Sequence, residues 1–189
     1  LPTGRSATFS SGLGVMDCKR LTDRRVTDLA AKVREVCGPK RFAEVELPPD
    51  TYNRVYDDMK REGKNLNALL AWGHVRVMEN VLKQTPCHRI IADQFGDERL
   101  IRSRLKVAFP NRKINLIQRH GAEDHTAVAA ASVLARARFL AWMTRTSERY
   151  GMTFPKGASA AVTEAARALV AKQGPEELCK VAKLHFRTT

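Results

Sequence analysis

The sequence predicts an α/β domain, and three observations carry that expectation. Short apolar, β-branched runs alternate with longer segments whose apolar residues recur at helical spacing. The 189 residues are 43% hydrophobic and 28% charged, enough apolar material for one sizeable core. No internal repeat, heptad or Gly-rich phosphate loop competes with that architecture.

The elements follow in order. Residues 1–12 are small and polar and read as an unassigned tail, with at most a short strand over residues 7–9. Thr22 or Asp23 caps a helix running to Cys37, with Val26, Leu29, Ala30, Val33 and Val36 at helical spacing, and Gly38-Pro39 stops it. Residues 41–47, carrying Phe42, Val45 and Leu47, predict a strand before Pro48-Pro49. Residues 65–84 form a long amphipathic helix with Leu66, Leu69, Leu70, Val77 and Val81 on one stripe. Residues 88–93 read as a short buried strand ending on an acid, and residues 97–107 as a helix halted before Pro110. Residues 113–118 alternate like a strand with one buried face. The longest helix covers residues 124–150, Ala-rich and then basic, and Gly151 ends it. Helices over residues 160–172 and 175–183 complete the chain.

Charge narrows the partners. Lys and Arg number 33 against 20 Asp and Glu, a formal net charge of +13, which favours a polyanion: nucleic acid or an anionic membrane surface. No charge-free run exceeds about a dozen residues, against the roughly 20 that a spanning helix needs. A charged n-region followed by an apolar h-region is also missing. The expectation is a soluble, cytoplasmic protein with no membrane partner. An initial Leu suggests a processed or partial product. The four cysteines, at 18, 37, 87 and 179, form no C-x-x-C pair, so reduced thiols are expected rather than a zinc finger or a disulfide framework.

Two acids stand out by position. Asp93 follows Ile90-Ile91-Ala92 at the carboxyl end of a strand, the edge where open α/β sheets place ligands. Glu123 sits between the later strand and the start of the long helix, where the helix dipole favours a carboxylate. Converging there, the two would make a hard oxygen site for Mg²⁺ or Mn²⁺. Equally, Asp93 can start a turn and Glu123 can be a capping residue. The five histidines give neither H-x-x-x-H nor H-E-x-x-H, and no G-x-S-x-G exists. Arg136, Arg138, Arg145 and Arg149 form either a phosphate-contacting stripe or a solvated helix face.

Several segments carry a family resemblance. Leu13-Gly14-Val15-Met16-Asp17-Cys18-Lys19-Arg20-Leu21-Thr22-Asp23 resembles the "LGVxDSKxLsD" segment of the type 2 and type 3 bacterial ribonucleases H. Asn65-Leu66-Asn67-Ala68-Leu69-Leu70-Ala71-Trp72-Gly73-His74 is similar to the "N-x-N-x-x-x-A-W-x-H" helix of ribonuclease HIII, and Ile91-Ala92-Asp93-Gln94-Phe95 to its "DQF" strand. Ala122-Glu123, with the Ala-rich helix from Ala127 to Arg136, resembles the family's "AE…aVAaASilAR" segment. Pro155-Lys156-Gly157-Ala158-Ser159 and Lys183-Leu184-His185-Phe186 match its C-terminal signatures.

The resemblance implies a ribonuclease H-like mixed sheet flanked by helices over residues 13–189. It also implies a metal-dependent endonuclease that cuts the RNA strand of RNA–DNA hybrids and leaves 5′-phosphate ends. In such enzymes four acids hold two Mg²⁺ or Mn²⁺ ions, one activating water and the other stabilising the departing 3′-oxygen. Asp93 would be the third acid and Glu123 the fourth, both as metal ligands and catalytic residues. Lys19 is implied as a phosphate contact, or else is a solvated lysine before a helix. Lys156 and Gly157 are implied as backbone contacts to the hybrid, or else form an ordinary turn before Ser159 caps the next helix. Cys18 replaces the usual Ser.

The family's opening "D-E-x-G-x-G" strand has no counterpart, since no Asp or Glu precedes Asp17. The expectation is therefore a domain missing its first two strands, through fragmentation, a frame change or loss, and a monomer when complete. The alternative is a catalytically inactive hybrid- or RNA-binding protein.

At +13, affinity for a hybrid duplex is expected to fall steeply with salt as bound cations leave the phosphates. Binding titrations at several salt concentrations check this, and a flat response contradicts it. Shape readout through 2′-hydroxyls further predicts preference for the hybrid over B-form DNA in the same titrations.

Overall fold

The computed structural model describes residues 21–186. The expected tail and its short strand, together with Cys18 and Lys19, lie outside the described residues. The helices are α1 (Asp23–Cys37), α2 (Pro49–Arg61), α3 (Leu66–Gln84), α4 (Arg99–Ala108), α5 (Thr126–Tyr150), α6 (Ala160–Gln173) and the short α7 (Leu178–Val181). The strands are β1 (Arg89–Asp93) and β2 (Asn115–Arg119), and 3-10 turns occupy Ala122–Asp124 and Pro175–Glu177. This is the α/β class that the sequence predicts, with a small sheet among many helices.

Helix α1 forms for the reasons its sequence states. Thr22 is the N-cap, its hydroxyl accepting from the Arg25 N–H at 3.3 Å, and Asp23 sits in the first turn. Val26, Leu29, Ala30 and Val33 make its buried stripe, and the Gly38 N–H closes it on the Arg34 carbonyl at 2.9 Å. Helix α2 was not expected. Its signals are positional: Pro49 in the first turn beside Asp50, Lys60 and Arg61 in the last, and a buried Tyr52.

Residues 41–47 do not form the expected strand. A strand needs a partner backbone, and β1 and β2 pair only with each other among the described residues. Instead Glu44 takes Arg34 of α1 at 2.8 Å, and Glu46 takes Arg145 of α5 at 2.9 Å. The two prolines that follow lack N–H groups and start α2. The described sheet is thus two-stranded and parallel, where a mixed sheet was expected.

The residues group into two compact units. Residues 21–45 with 70–139 make the first. Its core joins Ala71 and Val75 of α3, Ile101 and Leu105 of α4, and Leu116 of β2, with Ile90, Phe95 and Phe109 packed against them. Arg102 donates to the Leu116 carbonyl at 3.3 Å and Arg112 to the Leu82 carbonyl at 3.0 Å.

Residues 46–69 with those from 140 onward make the second unit. Tyr52, Leu69, Tyr150 and Leu169 are buried there. The Asn53 side chain donates to the Cys179 and Ala182 carbonyls at 3.1 and 2.9 Å and accepts from the Leu184 N–H at 3.0 Å. His185 lies against Tyr52 and Tyr56, with ring centroids 5.4 and 4.6 Å away.

Among the described helices α5 is long and apolar enough, by length and composition, to cross a membrane. Its Ala129, Val133 and Ala137 are buried inside the protein, and Arg136 is paired with Asp23 at 2.9 Å. Cys37, Cys87 and Cys179 are free thiols.

Ile101 has no exposed surface, so Ile101→Ala is expected to cost about 2–5 kcal/mol in chemical denaturation, from lost burial and the cavity left behind. Val107 on the same helix is 83% exposed, and Val107→Ala is expected to stay within about 0.5 kcal/mol in the same experiment.

Candidate metal and nucleic-acid site

β1 and β2 run parallel in simple register, Ile91 beside Ile117 and Asp93 beside Arg119, so both carboxyl ends finish at one edge. The ladder continues one step further, with the Gln94 N–H donating to the Arg119 carbonyl at 3.1 Å. After β2 the chain turns at Gly121, whose φ of 64° lies in the left-handed region that side chains disfavour, and enters the 3-10 turn carrying Glu123.

One hydrogen bond ties the edge together. Asp93 is exposed, and its Oδ1 accepts from the Ala122 N–H at 3.3 Å, so the strand-end acid is anchored to the residue preceding Glu123. Asp93 bonds across to the turn after β2, not to a turn of its own. His125 caps the start of α5. The Ala127 N–H donates to His125 Nδ1 at 3.3 Å, and Val128 and Ala129 donate to the His125 carbonyl at 2.9 and 3.0 Å.

Charge at this edge is mixed. Arg119 forms an ion pair with Asp124, which raises its basicity and holds the Asp124 carboxyl below the usual carboxylate range. The Asp93 and Glu123 carboxylates add smaller pushes in the same direction on Arg119. His74 of α3 stacks on Phe95 with centroids 4.9 Å apart. Burial pushes the His74 imidazolium below its ordinary value, and the Asp93 carboxylate pulls weakly the other way.

As metal donors, Asp93 and Glu123 offer carboxylate oxygens, the chemistry that Mg²⁺ and Mn²⁺ select. That donor type fits the ion the resemblance implies. No cluster of three or more His, Cys, Asp or Glu is placed to hold a metal among the described residues.

The other expected contacts fall elsewhere. Lys156 and Gly157 lie in the second unit, exposed in the bend between α5 and α6, with Gly157 at φ 93°. Ser159 holds the N-cap position of α6 without a side-chain bond. Of the arginine series on α5, Arg136 and Arg145 are taken up in ion pairs with Asp23 and Glu46. Sequence reasoning missed Arg119, Asp124 and His74. The signal for Arg119 was available, since it stands one residue past the expected strand end, as Asp93 closes the other strand.

The His74 shift sets a pH dependence. With the folded value below the unfolded one, the unfolded chain takes up this proton first. The His74 contribution to stability is therefore complete above the unfolded value, about 6.5, and is lost as pH falls from there through the lower folded value. Denaturant midpoints measured from about pH 8 to pH 5 are expected to fall less steeply toward acid in His74→Gln than in the unaltered chain.

Comparison with known proteins places this geometry. The sequence profile of the family described as Ribonuclease HII matches residues 3–189. Ribonuclease HIII of Protochlamydia amoebophila is 40% identical over 179 residues, covering 93% of this chain and 56% of the relative. Ribonuclease HIII of Chlamydia muridarum is 36% identical over 189 residues, covering 99% and 60%. The crystal structure of Bst-RNase HIII in complex with Mn²⁺ superposes with a TM-score of 0.78 at 29% identity, covering 97% of this chain and 58% of that one. The chain thus spans little more than half the length of the relatives it matches. From residue 3 to its end, it belongs to the ribonuclease HII family, alongside relatives named ribonuclease HIII.

Proposed function

We propose that this chain serves the metal-dependent endonucleolytic cleavage of the RNA strand in RNA–DNA hybrids, with Asp93 and Glu123 as metal ligands at the sheet edge. The observation that carries the reading is the Asp93–Ala122 hydrogen bond. It couples the strand-end acid to the turn bearing Glu123, in a chain whose relative was solved with Mn²⁺. Mg²⁺ or Mn²⁺ bound there would supply an activated water and offset charge on the departing 3′-oxygen, giving 5′-phosphate ends. The Ala122 N–H fixes one oxygen of Asp93 and leaves the other available to an ion. Lys19, Lys156 and Gly157 belong to this reading as contacts to the hybrid backbone, and the net charge of +13 supports a polyanionic substrate.

A second reading, binding without cleavage, is favoured by one specific observation: among the described residues no group of three or more His, Cys, Asp or Glu is placed to hold a metal. Two ions about 3.5–4 Å apart need more carboxylate than a pair of acids supplies. The chain by itself is therefore expected to bind hybrid and cleave it little. Joined to an upstream segment bearing the family's Asp-Glu strand, it is expected to cut the RNA strand in Mn²⁺. In that protein Asp93→Asn should lower cleavage at least about 100-fold while hybrid affinity changes less than about twofold, because the lost charge serves the ion and not the phosphates. Glu123→Gln should cost less, since water more readily replaces an acid at a helix start. Gel-based cleavage and binding titrations on the same preparations read both quantities. Cleavage that survives Asp93→Asn overturns the assignment.

A further inference from the structure

Arg119 is the register partner of Asp93, so the two side chains leave the same face of the sheet at the same edge. Its guanidinium is not free to wander, because Nη2 is paired with Oδ1 of Asp124, in the same turn as Glu123. Arg119 is 45% exposed and Asp124 64%, so the pair adds little to stability, and its meaning lies in where it sits. Asp93 and Glu123 both act on the same guanidinium, behind the stronger bond to Asp124. One cation thus stands among three carboxylates at the end of a two-stranded sheet.

The physical consequence is direct. Two carboxylates brought to one edge repel, and a neighbouring guanidinium offsets that repulsion. A cation that stabilises the bare acids also opposes the arrival of a second cation. We propose that Arg119 is a built-in counter-cation of the Asp93 and Glu123 edge, tethered by Asp124, which competes with a divalent metal ion for those carboxylates. This rests on the metal-site reading above and adds a residue to it. Arginine suits the task because it stays charged at all working pH values and its planar fork can remain on Asp124 when the acids turn to an ion. Asp124 then acts as the alternative acceptor, so metal arrival leaves no guanidinium stranded.

The test is a Mn²⁺ titration of the full chain, followed by paramagnetic broadening of the Ala122 and Glu123 amide resonances. Arg119→Gln is expected to tighten apparent Mn²⁺ affinity by about 3- to 10-fold, and Arg119→Lys to stay within about twofold of the unaltered chain. The gain is expected to shrink at high salt, where exposed charges are screened. A second arm uses Asp124→Asn, which should weaken Mn²⁺ binding by a larger factor with Arg119 present than in the Arg119→Gln background. Equal or weaker affinity in Arg119→Gln, or equal factors for Asp124→Asn in both backgrounds, overturns the counter-cation. No Mn²⁺-dependent broadening at Ala122 and Glu123 in the unaltered chain overturns the metal-site reading itself, and this inference with it.

Discussion

The parallel pairing of β1 with β2 is the constraint from which the site follows. Parallel neighbours cannot be joined by a tight turn, so the chain must cross back over the sheet, and α4 is that crossover. The crossover is held by Ile101 and Leu105, which share a buried cluster with Leu116 of β2 and with Ala71 and Val75 of α3. Because both strands point the same way, Asp93 and Arg119 arrive together at one edge. An antiparallel pair would have sent them to opposite ends, and no carboxylate site would exist there.

The turn after β2 does the rest. Gly121 adopts a backbone conformation that side chains disfavour, and the following 3-10 turn brings the Ala122 N–H to within 3.3 Å of Asp93. At 3.3 Å this is a long hydrogen bond, one that aims the carboxylate more than it binds it. It orients Asp93 without neutralising its charge. Helix α5 is then capped by His125.

Local signals made much of this legible. Helix α1 carries its cap, stripe and stop within its own sequence, and β1 and β2 announce themselves by Ile-rich runs ended by charge. Asp93 was legible for the same reason, since a strand end is a local feature. What failed depended on partners far along the chain. Residues 41–47 have strand-like composition, but Glu44 and Glu46 are claimed by arginines on α1 and α5 and no strand lies beside them. Helix α2 is polar by composition, yet Tyr52, Val55, Tyr56 and Met59 recur at helical spacing on its inward side, a periodicity that the flanking prolines and charges obscured. The alignment of Arg119 with Asp93 needs the register of the sheet, and the stacking of His74 on Phe95 needs the placement of α3, and neither is written locally. The family resemblance supplied the acids residue by residue, but it said nothing of the cation among them.

Asn53 shows how much a single amide can hold. Its nitrogen donates to two carbonyls, of Cys179 and Ala182, while its oxygen accepts from the Leu184 backbone, so three groups of the closing segment converge on one side chain. The arrangement is polarised: it reads donor toward one stretch of chain and acceptor toward the next. Replacing nitrogen with oxygen, as in aspartate, would preserve the bond to Leu184 and turn the other two into oxygen facing oxygen. A change of one atom, almost invisible in shape, would therefore convert a clasp into a repellent, and the aromatic seating of His185 on Tyr52 and Tyr56 would lose its anchor.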